Sequence, residues 1–221
     1  MPIFLRCIMP VFLAALALGP LAAAEETEQQ LNVRLLEFSK QKDEARARKM
    51  VEEGANVNSR TRRGETPLVL WVKAGNAGMV KWLIDKGADV NQEALDKTTP
   101  LIIAAFDGRV DIMQSLLDAG AEVEREDQVY KTAMIYASAE GQVEAVKLLL
   151  EHRVDVNRLY NHKLTALMWA AGYGRIESVT LLLERGADPR LKDDRGKTAA
   201  DIAAEQGHQP VAEVLRDAAA N

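Results

Sequence analysis

Pairs of adjacent apolar residues, set one helical turn apart, recur along most of the chain. The first set is Met79-Val80 with Leu83-Ile84, and the set returns three times at intervals of 33 residues. The later sets are Ile112-Met113 with Leu116-Leu117, Ala145-Val146 with Leu149-Leu150, and Ser178-Val179 with Leu182-Leu183. Residues three and four apart lie on one face of an α-helix, so each set predicts a short helix that packs along one face.

A threonine and two glycines recur with the same period. The threonines are Thr66, Thr99, Thr132, Thr165 and Thr198, and the first glycines are Gly75, Gly108, Gly141, Gly174 and Gly207. The second glycines are Gly54, Gly87, Gly120 and Gly186, with Arg153 at the remaining place. A threonine hydroxyl can cap the start of a helix, and a left-handed glycine commonly ends one. The period therefore predicts a repeated helix–turn–helix unit.

Several short motifs at fixed places in this period resemble those of the ankyrin-repeat family. They are Gly64-Glu65-Thr66-Pro67-Leu68, Gly87-Ala88-Asp89-Val90-Asn91, Thr99-Pro100-Leu101 and Gly207-His208. The resemblance extends over residues 28–216. It implies an all-α ankyrin-repeat solenoid, in which stacked helix-turn-helix units carry β-hairpin fingers along one side.

The repeat divides the chain into six units after an N-terminal segment. We expect an N-terminal capping repeat, four full repeats, and a C-terminal capping repeat with a short tail. Their bounds are 25–60, then 61–93, 94–126, 127–159 and 160–192, and finally 193–221. The last unit has Asp201 and Glu205 where other repeats have apolar or small residues, as expected for the end of a solenoid.

Residues 1–24 have the composition of a signal peptide. Arg6 precedes an apolar run at 8–18, which is too short to span a bilayer comfortably. The predicted cleavage site consists of Ala22 and Ala24 before Glu25. An uncleaved N-terminal anchor is the alternative.

Cleavage would remove Cys7, the only cysteine, and leave a chain without disulfides or a thiol nucleophile. We therefore expect a periplasmic protein without stable membrane insertion after cleavage, and secretion beyond the cell is the alternative. The net charge of −5, with interleaved signs, lacks the basic footprint that nucleic-acid binding requires.

No motif in the sequence predicts catalysis. The three histidines, His152, His162 and His208, fall at different places in their repeats and share no metal-ligand spacing. Asp193 and Asp194 lie at a predicted turn, where aspartate commonly bonds the backbone. We expect no enzyme, no metal and no cofactor.

Aromatic residues mark the candidate binding surface. Positions four, seven and eight after each threonine share one face of the first helix, which the family resemblance places on the concave side. The large rings there are Phe106, Tyr136, Trp169 and Tyr173, while Tyr130, Tyr160 and His162 lie in fingers and Arg62, Arg63 and Lys73 form a charged rim. The alternative is that some rings are packed between repeats, as we expect of Trp71 and Trp82.

Three fingers depart from the family pattern. Lys97, Tyr130 and Lys163 occupy the glycine position of the finger, and Arg153 occupies a helix-ending one. If the backbone keeps a positive φ there, each substitution costs on the order of 1 kcal/mol. These fingers are either distorted or selected for side-chain contacts.

These features predict a non-catalytic periplasmic scaffold that binds a protein partner through its aromatic concave face. The family resemblance allows a supporting factor for an envelope enzyme, or an inhibitor that protects the cell from a toxin. The alternatives are a small-molecule or lipid-binding protein and a secreted effector that binds host proteins. We expect a monomer.

Overall fold

Six successive pairs of α-helices make up the computed structural model, which describes residues 26–220. The pairs are α1 (Glu28–Gln41) with α2 (Glu44–Glu52), α3 (Pro67–Ala74) with α4 (Ala77–Asp85), α5 (Pro100–Phe106) with α6 (Val110–Asp118), α7 (Ala133–Glu140) with α8 (Val143–Glu151), α9 (Ala166–Gly172) with α10 (Ile176–Glu184), and α11 (Ala199–Glu205) with α12 (Gln209–Ala220). A 3-10 turn at Asn161–Lys163 precedes α9. The predicted all-helical architecture is confirmed for this part of the chain.

The recurring threonines begin the first helix of their pairs, as predicted. The hydroxyl of Thr66 accepts a hydrogen bond from the Val69 N–H at 3.2 Å, and the equivalent bond is present at Thr99, Thr132, Thr165 and Thr198. The C-terminal ends of these first helices are less uniform than their starts. Gly75 and Gly141 cap α3 and α7 in the left-handed conformation, with φ of 73° and 79°.

Neighbouring pairs pack through matching helices. α3 lies against α1 and α5, and the series continues through α7, α9 and α11. The second helices contact one another in the same order from α4 to α12. One apolar core runs the length of the stack, and Trp71 lies in it with its indole N–H donating to the Ser39 hydroxyl at 3.1 Å. This packing of each pair on the next is the arrangement of a solenoid.

A short loop, which we call a finger, precedes each first helix from α3 onward. The fingers are residues 61–65, 94–98, 127–131, 160–164 and 193–197, and each is closed by one backbone hydrogen bond of 2.9–3.0 Å between its first and last residues. Some neighbours are also joined, for example by the Leu95 N–H and the Arg63 carbonyl at 3.0 Å. Residues 26–220 contain no β-strand. The predicted β-hairpins are therefore not confirmed, because one closing bond forms a tight turn rather than a ladder.

The unusual finger residues keep the conformation of glycine. Lys97, Tyr130 and Lys163 have φ of 59°, 61° and 56°, close to the 77° of Gly64. The turn bond that Gly64 makes is retained at all three, for example from the Tyr130 N–H to the Asp127 carbonyl at 3.0 Å. Only finger 160–164 differs, since His162 is also left-handed and a 3-10 turn results.

Three asparagines join successive loops between one helix pair and the next. The Asn91 side chain donates to the Gly120 carbonyl at 3.0 Å and accepts from the Glu122 N–H at 2.8 Å. Asn58 and Asn157 make the same two bonds one repeat earlier and two repeats later. The equivalent place between Asn91 and Asn157 holds Glu124. Its carboxylate lies 3.2 Å from the Arg158 guanidinium instead.

None of the helices within residues 26–220 combines the length and apolar character needed to cross a bilayer. The predicted signal peptide at 1–24 lies outside the described residues, and so does the Glu25 side of its cleavage site.

Candidate functional site

Four aromatic rings and one lysine form a continuous row across α5, α7 and α9. The rings of Phe106 and Tyr136 meet edge to face, with centroids 5.8 Å apart, and Trp169 stacks on Tyr173 at 6.2 Å. The Lys131 ammonium lies between these pairs, 5.3 Å from the Tyr136 centroid and 4.4 Å from that of Trp169. Each of these contacts is within the range of favourable aromatic or cation–π interaction. We call these five side chains the aromatic row.

The ends of the aromatic row are open to solvent and its middle is packed. Phe106 is 45% exposed and Tyr173 is 46% exposed, whereas Tyr136 and Trp169 are half-buried, and Tyr136 packs against the core. The rings therefore differ in exposure, and binding through the outer pair stays a prediction. The outer rings are available to a partner, and the inner rings support them.

A buried carboxylate fixes the middle of the row. The Tyr136 hydroxyl donates to Asp127 Oδ2 at 2.6 Å, and Asp127 Oδ1 accepts from the backbone N–H groups of Val129 and Lys131 at 2.9 and 3.0 Å. Burial, followed by the bond to Asp127, holds the pKa of Tyr136 far above its usual value. The phenol therefore stays protonated near neutral pH and ties finger 127–131 to the row.

Tyr160 is a correction to the predicted surface. Its side chain is only 7% exposed, although a finger residue was expected to be accessible. The cause is its place in the repeat, the first of the finger, where Asp127 and Asp193 are also buried. Burial raises the pKa of Tyr160 to about 12. This ring supports the fold rather than contacting a partner.

The tips of the middle fingers are exposed. Tyr130 is 59% exposed, and Val129 beside it is 53% exposed. On the preceding finger, Leu95 is 74% exposed. Exposed apolar residues of this kind, close to one another on neighbouring loops, are typical of interaction sites.

The charged rim is only partly free. Lys73 is paired with Glu65 at 2.6 Å, and Arg63 lines a small cleft beside them of about 240 Å³. Arg62 and Arg63 are exposed and form no ion pair with any residue in 26–220. The rim therefore offers two free guanidinium groups and one neutralised lysine.

Lys131 is the member of the site that sequence reasoning missed. It occupies the place in the repeat that Glu65 and Lys197 occupy in other fingers, where each pairs with a charge eight residues later, Lys73 or Glu205. Eight residues after Lys131 the chain has Ala139. Without a carboxylate there, the ammonium contacts the rings instead. The repeat alignment contained this signal.

The histidines have separate structural environments. His162 is exposed, and its Nδ1 lies 2.8 Å from Asp194 Oδ2 of the next finger. A Cβ at Gly174 would lie 2.6 Å from Nδ1 of His208, so these two residues are closely packed. Across residues 26–220 the structure brings together no group of three or more side chains that could hold a metal ion.

A cleft of about 530 Å³ adjoins the Tyr173 end of the row, between α9 and α11. Its walls include Trp169, Tyr173, Arg195 and His208. Arg195 is bound to Asp193 at 2.7 Å, so the cleft has little free charge from that group.

Comparison with known families gives one assignment. A family model of ankyrin repeats in three copies matches residues 35–127 and 125–193, which together are well over half of the chain. Comparison with curated proteins gives no match. Ankyrin repeats generally mediate protein–protein interaction and are typically non-catalytic, and the exposed ends of the aromatic row are compatible with the first property. The chain belongs to the ankyrin-repeat family.

Proposed function

We propose that this protein is a non-catalytic, monomeric scaffold of the bacterial periplasm that binds a protein partner across the concave face of its repeats. Four full repeats between two capping repeats would present that face. The observation that supports it is the aromatic row, whose exposed ends, Phe106 and Tyr173, rest on packed inner rings.

The row has the properties of an interface centre. Aromatic residues are enriched among interface hot spots, and a polar rim commonly surrounds them. Here Arg62, Arg63 and the Lys73–Glu65 pair lie toward one end. The bond from Tyr136 to Asp127 and the ammonium of Lys131 hold the inner rings in place. Side chains that are ordered before binding lose less conformational entropy when a partner docks.

The test is a pair of substitutions at the open ends. We expect Phe106→Ala and Tyr173→Ala each to weaken partner binding by about 30-fold, because a hot-spot truncation commonly costs about 2 kcal/mol, and the double variant to weaken it further. Photo-crosslinkers at the same two positions identify the partner in the native envelope. The matched control is Val33→Ala on α1, which is 61% exposed and distant from the row along the stack. A folded double variant that binds the crosslinked partner like the wild type contradicts the proposal.

The periplasmic location rests on residues 1–24 and has its own test. Fractionation should place the protein in the periplasm, and its first residue should be Glu25. Recovery in the medium favours the secreted effector instead. Within the periplasm, the partner's activity with and without this protein distinguishes a supporting factor from an inhibitor.

The cleft beside Tyr173 supports a second candidate function. Its volume of about 530 Å³ lies within the usual range of ligand pockets, and aromatic side chains line it. A small molecule or lipid could therefore bind at this end of the row. Native mass spectrometry of the purified protein tests this: a stoichiometric bound ligand that Tyr173→Ala removes would favour it.

A further inference from the structure

Three consecutive fingers carry a large side chain where the flanking fingers carry glycine. Lys97, Tyr130 and Lys163 stand at this place between Gly64 and Gly196, and all five have a positive φ. An L-residue in the left-handed region is strained relative to glycine, because its Cβ crowds the backbone. Strain of this kind persists at sites where the side chain has a function.

The three side chains contribute little to the fold that holds them. Lys97, Tyr130 and Lys163 are exposed, and within residues 26–220 their side chains form no hydrogen bond, ion pair or ring contact. The turns are closed by backbone bonds that glycine also makes at Gly64 and Gly196. No hydrogen bond, ion pair or ring contact of these side chains within residues 26–220 therefore offsets the strain.

The acidic groups of these three fingers do not pair with the tip lysines. Asp127 is buried. Asp96 is exposed, but it accepts a hydrogen bond from the Thr98 N–H at 3.0 Å and forms no ion pair with Lys97. The exposed tips consequently present an ammonium, an aromatic ring and a second ammonium in successive fingers. This arrangement attracts carboxylates to a chain whose overall charge is −5.

We propose that Lys97, Tyr130 and Lys163 form a docking edge for an extended acidic segment of the protein partner. The lysines would each bind a carboxylate, and Tyr130 would bind an apolar side chain midway between them. Packed helices lie about 8–10 Å apart, and an extended chain rises about 3.3 Å per residue. One finger thus corresponds to about three residues, and the carboxylates would lie about six residues apart. This inference rests on the proposed function, since it describes the same partner.

A protein segment fits this edge better than a nucleic acid or an anionic membrane. Those surfaces carry dense, regular negative charge, and their binding requires many cations together. Here two free ammonium groups flank an aromatic ring and the exposed Val129.

The experiment is an NMR titration of the isotope-labelled protein with two synthetic peptides. The first carries two aspartates about six residues apart with a leucine midway in a glycine–serine background. The second has the same composition with both aspartates beside the leucine. We expect tighter binding of the spaced peptide, weakening at high ionic strength, and shifts confined to residues 94–98, 127–131 and 160–164.

Two double variants separate charge from backbone strain. Lys97→Gly with Lys163→Gly should weaken the spaced peptide about fivefold or more while raising the thermal midpoint, because each surface ion pair contributes up to about fivefold and the strain is removed. Lys97→Gln with Lys163→Gln should weaken binding equally at an unchanged midpoint. The control is Arg153→Gly, which removes one charge and one left-handed residue outside the fingers and should leave binding unchanged.

Equal affinity for the two peptides, or unchanged binding by both double variants, overturns the inference. So does tighter binding of a DNA oligomer or of phosphatidylglycerol vesicles through the same lysines. If the native partner requires Phe106 and Tyr173 but not Lys97 and Lys163, this inference fails and the proposed function stands. If neither set matters, both fail.

Discussion

The asparagine links between loops predict which junction of the solenoid is weakest. Asn91→Ala removes the bond to the Gly120 carbonyl at 3.0 Å and the bond from the Glu122 N–H at 2.8 Å. A neutral hydrogen bond contributes about 0.5–1.5 kcal/mol net. Both loops are partly exposed, so water can replace some of what is lost. We expect Asn91→Ala to lower the free energy of unfolding by about 1–2 kcal/mol.

Equilibrium urea unfolding, followed by circular dichroism, measures this change. Asn91→Asp is the informative partner variant, because the carboxylate keeps the acceptor and loses the donor. It should lie between the wild type and the alanine variant. Glu124→Ala is the matched control at the same place in the next repeat, where a partly exposed ion pair with Arg158 contributes about 1 kcal/mol.

The reverse substitution tests the same reasoning. An asparagine in place of Glu124 could make the same two hydrogen bonds to the loop that follows. Of the four equivalent positions, only Glu124 lacks these bonds, so Glu124→Asn should stabilise the protein. If Glu124→Ala lowers the free energy of unfolding as much as Asn91→Ala does, the two asparagine bonds are not the cause of the loss and the prediction is refuted. Destabilisation by Glu124→Asn would count against it as well.

Three further predictions concern other strained, bonded or charged positions. Arg153→Gly should stabilise the protein by about 1 kcal/mol, or roughly 2–4 °C in thermal midpoint, because φ there is 64°; a lower midpoint would contradict this. Tyr136→Phe should cost about 1–2 kcal/mol in urea unfolding, because the buried Asp127 loses a donor, whereas Tyr173→Phe should change nothing. The bonds from Thr198 hold the pKa of Asp201 below its usual value. The contribution of Asp201 to stability is therefore present above about pH 4 and is lost as the pH falls through the folded-state pKa. In Asp201→Ala, the free energy of unfolding should fall less steeply on acidification than in the wild type.

The backbone conformation of the fingers could not be deduced from the sequence alone. The 33-residue period placed Lys97 and Tyr130 at the glycine position of their fingers, and these substitutions left two interpretations open. The two interpretations were a distorted finger and an intact finger with a selected side chain. At Lys97 and Tyr130 the φ is positive and the backbone bonds of the finger are present, so these fingers are intact. A β-hairpin was expected from the family resemblance, but within residues 26–220 only one backbone bond joins the first and last residues of each finger, and the other spans the turn.

The helices and their order follow from the sequence alone, because they depend on local chemistry. A threonine such as Thr66 caps the N–H three residues later, and apolar pairs at Met79 and Leu83 lie on one helix face. A strict period then repeats this local solution along the chain. Stacking follows, since each pair buries its apolar face only against its neighbours.

The accessibility of the aromatic side chains depends instead on how the repeats pack. Tyr160 is buried, while Tyr130 is exposed, although both lie in fingers. Lys131 lies over Trp169, a residue of the next repeat, and this contact depends on rotamers and on the spacing between repeats. Contacts between residues more than thirty positions apart have no local signature. The period therefore predicts the scaffold, whereas packing between repeats selects the surface that the scaffold presents.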